Sequence, residues 1–385
     1  MQPSRTSVCV ANVRAGALAD AIRPALPAIL LFLLCQGVEF GALLLLSWKA
    51  DVSAFDIIGR FDSAWFLSIA EQGYDQAVAV DAHGVLQQNS LVFFPLYPAL
   101  IAVVMAVGVP PLAAGLLVTL LAGCTAAWGL FVLGRDLADA RVGTVLAVLW
   151  SIGPGSVALH MPYSEALLVA LAAWTLVLLT RRRWLPAAGL AILAGLTRAG
   201  GGAVVAAVCV AAVVAIVRRQ DGWRPWVAAL VAPVGLLSYL GYVALRAGRL
   251  DGWFWLQNAW QMRFDFGRFS WIQVREGLTA NGSSWISLTA LIVLASLALL
   301  LWSYAAKLPL SWHVYSTVTV VIALGSANYF QSRPRFLLAA FVIVVPLAVL
   351  AERLPNRVFA ILVPIGAFVS GWYGAFLMEI AHMNP

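Results

Sequence analysis

The chain has 385 residues, of which 62% are hydrophobic and only 11% are charged, and its mean hydropathy is +0.91. Soluble domains carry about 25% charged residues, so this composition excludes an ordinary soluble protein. The net charge of +7 does not indicate a nucleic-acid partner, because the basic residues stand in short clusters between apolar stretches, where they set membrane topology.

The first predicted element is a membrane helix that follows a basic N-terminal arm. The arm carries Arg5, Arg14 and Arg23 ahead of "PAILLFLLCQG", and no small-x-small cleavage site follows. We therefore expect the helix to be retained in the plasma membrane and the arm to lie in the cytoplasm.

Apolar stretches long enough to cross a hydrocarbon core of about 30 Å recur along the whole chain. They lie at residues 26–47, 91–108, 112–133, 142–160, 163–180, 184–201, 203–217, 225–246, 284–303, 310–329, 335–350 and 357–378. If the basic clusters all face the cytoplasm, one stretch between 91 and 180 must re-enter or form part of a broken crossing. The sequence thus predicts an all-α polytopic membrane protein with about 11 transmembrane helices, 10 to 12 being compatible with the pattern.

Two loops outside the membrane interrupt this single transmembrane domain of residues 1–385. The first covers 48–90 and is expected to contain interfacial helices, and the second covers 247–283 and is rich in tryptophan. Both fall on the predicted extracytoplasmic side, where the residues with functional character also lie. Two residues remain without an assigned role, Glu39 inside the first stretch and Tyr329 near the end of another.

The first loop is acidic, since six of the chain's 17 carboxylates lie within the 31 residues 51–81. Most are typical of a solvated loop, but Asp62 differs. On a helix turning ~100° per residue it falls between Phe66 and Ile69, on the apolar face of an interfacial helix. A carboxylate at this depth is costly and indicates function, the alternative being a helix N-cap. A single base here could accept the proton of a sugar hydroxyl in a one-step inverting displacement.

Three arginines at span ends on the same predicted face are candidates to bind a lipid phosphate, for which the planar guanidinium is suited. They are Arg198, Arg333 and Arg335. Each one alone is also typical of an interfacial anchor. Histidine and cysteine show no paired or metal-type spacing, so no cofactor is expected and a divalent metal, although conceivable, is not indicated.

Several motifs in order resemble a known family. "RFDSAWFLSIAEQGYD" (60–75) and "LVFFPLYPALI" (91–101) resemble the aromatic-Asp, I-A-x-x-G-Y and F-F-P-x-x-P signature of the PIG-V-like mannosyltransferases, and we expect a bacterial member. "MPYSEALL" (161–168), "LAGLTRAGG" (193–201), "QNAWQMRFDFG" (257–267) and "SRPRFLLAAF" (332–341) follow in the same order. The chain departs from the family pattern at Phe61, where tryptophan is usual, and at Gln72, where histidine is frequent.

The resemblance implies a GT-C glycosyltransferase fold, with the catalytic acid in a large first loop and a polyprenyl-phosphate-sugar donor, usually mannose. Asp62 matches the family's first-loop acid and is expected to be the general base. The residues expected to bind substrate are Glu71, Tyr74, Tyr97, Tyr163, Glu165 and Trp260. Glu165 could instead stabilise a helix N-terminus, and Trp260 could belong to an interfacial aromatic belt.

The sequence therefore predicts an inverting mannosyltransferase that uses polyprenyl-phosphate-mannose. A lipid or lipid-linked glycan acceptor is favoured because no large soluble C-terminal domain is expected that could bind a protein acceptor. The alternative is a transporter or a lipid flippase, since many spans and Gly/Pro-broken helices also describe transporters. A transporter is expected to place its acids near the midplane and to show a repeat, whereas here the acids cluster in one surface loop and no repeat is seen. No feature identifies a protein partner.

Overall fold

The computed structural model describes residues 20–83, 85–279 and 283–380. Within these ranges the regular structure is helical, and extended residues pair only in two isolated bridges, Val80 with Leu86 and Phe264 with Ser326. The cytoplasmic arm predicted around Arg5 and Arg14 lies outside the described residues.

The chain forms α-helices that are joined by short turns and two longer loops. In order these helices are α1 (Leu26–Ala50), α2 (Ala54–Ile58), α3 (Asp62–Gln72), α4 (Leu96–Met105), α5 (Pro111–Leu137), α6 (Ala140–Ser151), α7 (Glu165–Thr180), α8 (Trp184–Gly195), α9 (Gly201–Val217), α10 (Arg224–Val231), α11 (Val234–Ala247), α12 (Gly252–Gln257), α13 (Arg268–Gly277), α14 (Ser284–Ala305), α15 (Leu310–Gly325), α16 (Arg333–Leu338), α17 (Val345–Ala351) and α18 (Asn356–Ala375). Short 3₁₀ turns lie at Arg23–Ala25, Ser90–Val92, Ser156–His160, Asn258–Trp260, Phe330–Ser332 and Phe341–Val344, and a π turn at Phe376–Ile380.

Several of these helices can cross a membrane, which agrees with the predicted integral membrane protein. Five described segments are long and apolar enough: Asp20–Ala50, Pro111–Leu137, Arg224–Ala247, Ser284–Ala305 and Asn356–Met378. The pair Phe330–Leu338 and Phe341–Ala351, bent by 74°, makes a sixth if it is one broken span. The helices α4, α6, α7, α8, α9 and α15 are apolar but shorter, so the total of about 11 crossings stays a prediction.

The stretch predicted at 91–108 forms a helix of only 10 residues, α4. Ten residues extend about 15 Å, which is half of a hydrocarbon core. At the far ends of α5 and α7, Asp136 pairs with Arg135 at 2.7 Å and with Arg181 at 2.6 Å. The "GRDLADAR" and "RRR" segments therefore lie at the same end of the bundle.

Small residues allow the central helices to approach closely. α5 packs against α1, α6 and α7, and the core of these helices is rich in fully buried alanine. At the contact of α5 with α6, a Cβ added to Gly143 would clash with the carbonyl oxygen of Phe131. Membrane helices use such residues because lipid supplies no hydrophobic force between them, and close packing must hold them together.

Four of the predicted functional residues lie at the opposite end of the bundle from Asp136. α3 begins at Asp62 and α7 begins at Glu165, while Arg198 lies in the link between α8 and α9 and Arg335 lies in α16. Residues far apart in sequence are thus presented to one space between the helix ends.

Candidate active site

A cavity of about 420 Å³ lies where these helix ends meet. Its wall is mostly apolar, with contributions from α11, α12 and α15. The charged side chains of its lining are Asp62, Glu165, Arg198, Arg263 and Arg335. A largely apolar pocket with a few converging charged groups is the usual form of a ligand site.

Asp62 stands at the start of α3, directly after a strained residue. Phe61 has φ 58° and ψ −131°, a combination that residues with a side chain rarely adopt. Phe66 and Ile69 of the same helix are buried, as the apolar periodicity predicts. The Asp62 carboxylate is 21% exposed, and its Oδ2 lies 2.8 Å from Nη1 of Arg335. A carboxylate in the first turn is also favoured by the helix dipole.

Arg335 joins the two acids of the cavity. Its side chain is only 4% exposed, with Nη1 on Asp62 and Nε 3.4 Å from Oε1 of Glu165. The guanidinium lies 4.7 Å from the ring centre of Tyr163 and 4.9 Å from that of Phe336, in reach of cation–π attraction. It is therefore held by two carboxylates and two aromatic rings.

Glu165 also forms an ion pair with a second arginine, Arg198. Its side chain is 3% exposed and forms an ion pair with Nη1 of Arg198, which is itself 23% exposed and lies 5.6 Å from the Phe336 ring centre. Two acids and two arginines thus form one chain of ion pairs from Asp62 to Arg198. Removing one member of such a buried chain leaves an uncompensated charge, which is strongly destabilising.

Two tyrosines border Asp62. The fully buried Tyr163 has its hydroxyl hydrogen-bonded to the backbone of Asp62. Tyr329 lines the cavity, where burial raises the pKa of its hydroxyl and the nearby Asp62 charge raises it further. The Tyr329 hydroxyl therefore stays neutral and can donate a hydrogen bond.

An aromatic wall faces the charged groups. The Trp260 ring lies 5.3 Å from Trp65 and 5.7 Å from Phe93 between ring centres, in edge-to-face geometry, and Phe93 also contacts Phe66 at 5.1 Å. The buried Nε1 of Trp260 has no hydrogen-bond partner among the described residues. Such a surface can pack against a sugar ring or an isoprenoid chain.

The backbone under this wall is held by side chains from other elements. The Phe93 carbonyl accepts hydrogen bonds from the hydroxyls of Tyr74 at 2.9 Å and Tyr239 at 2.5 Å, and the Val92 carbonyl accepts one from the Trp253 indole at 3.1 Å. Burial raises the pKa of Tyr74 to about 12, so it remains a donor. Tyr74 thus fixes Phe93 rather than lining the cavity.

Of the residues predicted from sequence, the structure brings Asp62, Glu165, Arg198, Trp260 and Arg335 to the cavity wall. Tyr163 lies directly beneath, against Arg335.

The remaining predicted residues lie elsewhere. Arg333 is fully buried, and its guanidinium donates to the carbonyls of Ser326 and Asn328. Tyr97 is also fully buried, with its hydroxyl 2.6 Å from Thr119. Glu71 is exposed near the end of α3.

The lining also contains residues that were not among the predicted site residues, notably Arg263, Tyr329 and Phe336. Arg263 is exposed, and within the described ranges its side chain takes part in no ion pair. It stands inside the motif "QNAWQMRFDFG", which is the one sequence signal that could have identified it. No group of three or more His, Cys, Asp or Glu side chains in the described part of the chain is arranged to hold a metal ion.

The chain shares its fold with solved membrane proteins. It matches ArnT from Cupriavidus metallidurans, crystallised with undecaprenyl phosphate, with a TM-score of 0.53 and 15% identity over 91% of this chain and 75% of ArnT. It matches the Archaeoglobus fulgidus oligosaccharyltransferase, crystallised with zinc and sulfate, with a TM-score of 0.50 and 14% identity over 91% of this chain and 53% of that one. The shared fold agrees with the expected all-α membrane architecture. No protein-family model and no curated protein matches the chain.

Proposed function

We propose that this protein is a membrane glycosyltransferase of the GT-C type that transfers mannose from polyprenyl-phosphate-mannose to a lipid or lipid-linked glycan. The observation that carries the proposal is the carboxylate of Asp62, held by Arg335 at the wall of an apolar cavity. The choice of mannose rests on the motif resemblance. The extracytoplasmic location of the cavity rests on the basic clusters at the other end of the bundle.

The reaction is a single displacement. The acceptor hydroxyl oxygen attacks the anomeric carbon of the donor, and its proton passes to the Asp62 carboxylate. The bond between the anomeric carbon and the phosphate oxygen breaks, and its electron pair leaves with polyprenyl phosphate. Because attack and departure occur on opposite faces, the configuration is inverted. Arg335 keeps the carboxylate oriented towards the cavity.

The leaving phosphate requires a cation, and two arginines of the cavity wall are suited to it. Arg198 is partly exposed although paired with Glu165, and Arg263 is exposed without a carboxylate partner among the described residues. Guanidinium groups bind phosphate oxygens bidentately. The undecaprenyl phosphate in ArnT, which has a similar fold, supports the same class of leaving group.

The apolar part of the cavity favours a lipid substrate. Leu236, Leu240, Phe254, Phe264 and Ile322 line it, and an isoprenoid or acyl chain can pack against them. We expect no metal cofactor, because both acids of the wall are already neutralised by arginines. Transfer in the presence of EDTA should therefore equal transfer without it.

The test uses the purified protein in lipid nanodiscs with synthetic polyprenyl-phosphate-mannose and a membrane lipid extract. Wild type is compared with Asp62→Asn and with Asp56→Asn, an exposed acid of the same loop. Release of polyprenyl phosphate should fall about 10²- to 10⁴-fold in the first variant only, the usual contribution of a general base. Equal release by both variants would contradict the role of Asp62. If wild type releases nothing but moves the donor lipid between leaflets, the protein is a flippase.

A further inference from the structure

A second polar cluster lies inside the bundle, apart from the cavity wall. Glu39 is the fourteenth of the 25 residues of α1, and its side chain is completely buried. Its Oε2 accepts a hydrogen bond from Ser156 Oγ at 2.8 Å and lies 3.0 Å from Nε2 of His160. Ser156 Oγ is also 2.8 Å from Ser370 Oγ, which donates to the Gly153 carbonyl at 2.9 Å.

This cluster joins three elements that are distant in sequence: α1, the turn Ser156–His160 and α18. The helices α1 and α18 touch so closely here that a Cβ added to Gly371 would lie 2.6 Å from the Glu39 Cα. An ionisable residue in the middle of a membrane helix is expensive to insert and usually has a function. Apolar packing alone could hold α1 against α18, so the helix contact does not account for the carboxylate.

The turn held by Glu39 leads directly into the candidate active site. Gly155, with φ +96°, packs against the backbone of α16, where a Cβ would lie 2.5 Å from the amide nitrogen of Arg335. At the other end of the turn, Tyr163 follows His160 by three residues and contacts both Asp62 and Arg335. A displacement of the turn would therefore be transmitted to both partners of the catalytic ion pair.

We propose that Glu39, together with His160 and Ser156, is a positioning unit that fixes segment 153–165 and through it the alignment of Asp62 with Arg335. The inference rests on the proposed transferase activity for its kinetic consequence. Glu39 does not line the cavity. Its effect passes through the hydrogen bonds to the turn and through Tyr163, whose hydroxyl meets the Asp62 backbone.

The test compares Glu39→Leu with Glu39→Gln in nanodiscs. Leucine has a similar volume and inserts into a membrane more readily than glutamate, so poor insertion cannot explain a loss. Glutamine keeps an oxygen that can accept the hydrogen bonds of Ser156 and His160. Gln36→Leu is the matched control, because Gln36 is a buried polar residue of α1 whose side chain donates a hydrogen bond to the Ser151 carbonyl at the end of α6.

For Glu39→Leu we expect kcat to fall about 10- to 100-fold, since a displacement of about 1 Å at a reacting group can cost roughly 10²-fold. KM for the donor should stay within about threefold, because ground-state binding is untouched. Glu39→Gln should retain most of the activity, and Gln36→Leu should match wild type. Unchanged kcat in Glu39→Leu, or equal losses in the leucine and glutamine variants, would overturn the inference.

Hydrogen–deuterium exchange supplies a readout that does not depend on activity. In Glu39→Leu the backbone amides of 153–165 and of the start of α3 should exchange faster, while those of the Arg181 end stay unchanged. If wild type transfers no sugar, the proposed function fails, yet this measurement still tests the positioning unit. Exchange identical to wild type in both segments would disprove it.

Discussion

The two ends of α7 carry similar charges in opposite surroundings. At its beginning, Glu165 and Arg335 are 3% and 4% exposed and border a cavity, whereas beyond its end Arg181 is 45% exposed and pairs with Asp136, which is 29% exposed. Exposed ion pairs contribute about 0–1 kcal/mol, while buried ones must offset the loss of hydration. The ion pairs at the buried end are thus not explained by stability alone, and the proposed sugar transfer gives a reason for them, whereas the exposed pair is typical of a topology marker.

The largest effect is expected from Arg335→Gln. Asp62 and Glu165 lose their shared guanidinium, and breaking a buried pair costs about 3–5 kcal/mol. Activity should fall about 10²- to 10³-fold, as for the loss of an electrostatic element of an active site. Thermal unfolding and polyprenyl phosphate release measure both effects. Wild-type activity in this variant would show that the buried ion pairs are not needed for the reaction.

Glu165→Gln tests the acidic partner of the buried arginines. The amide leaves Arg198 and Arg335 with a weaker acceptor, and hydrogen bonds to charged groups contribute about 1.5–3 kcal/mol, so kcat/KM should fall about 10- to 150-fold. Steady-state kinetics with the donor lipid measures it. A rate within twofold of Asp221→Asn, a partly exposed acid at the other end whose side chain is 23% exposed, would show that Glu165 only stabilises the helix start.

Trp260→Ala tests the aromatic wall beside the buried charges. Aromatic pairs contribute about 0.5–1.5 kcal/mol beyond their buried area, so KM for the acceptor should rise about 2- to 12-fold while kcat changes little. The KM of Trp260→Phe for the acceptor should lie between those of wild type and Trp260→Ala. An unchanged KM with a reduced kcat would instead assign Trp260 to the reacting centre.

The smallest effect is expected from Arg181→Gln, the same substitution as in Arg335→Gln at the exposed end. The free energy of unfolding should change by less than about 1 kcal/mol, and less still at high salt, because solvent screens this pair. Sugar transfer should equal that of wild type. A loss comparable to that of Arg335→Gln would mean that both ends serve the reaction.

Which of Arg333 and Arg335 faces the cavity could not be predicted from the sequence. Both stand in "SRPRF" at the predicted extracytoplasmic face, and both were expected to bind phosphate. The two arginines are two positions apart in α16, and this spacing separates them by about 200° around the helix axis. Only one of them can therefore face the cavity. Arg335 reaches Asp62, and Arg333 holds the loop at Ser326 and Asn328. The choice depends on where α16 begins and how it is rotated, which hydropathy does not reveal.

Hydropathy and helical periodicity are local properties of the chain, so the sequence alone predicts the membrane environment, most of the apolar helices and the buried face of α3 beside Asp62. The pairing of Asp62 with Arg335 across 273 residues, and of Glu39 with His160 across 121, was decided only by the tertiary structure. Such contacts depend on which helices pack together and on their rotation. Both are settled by the fit of side chains across the whole bundle, and no single stretch of sequence contains that information.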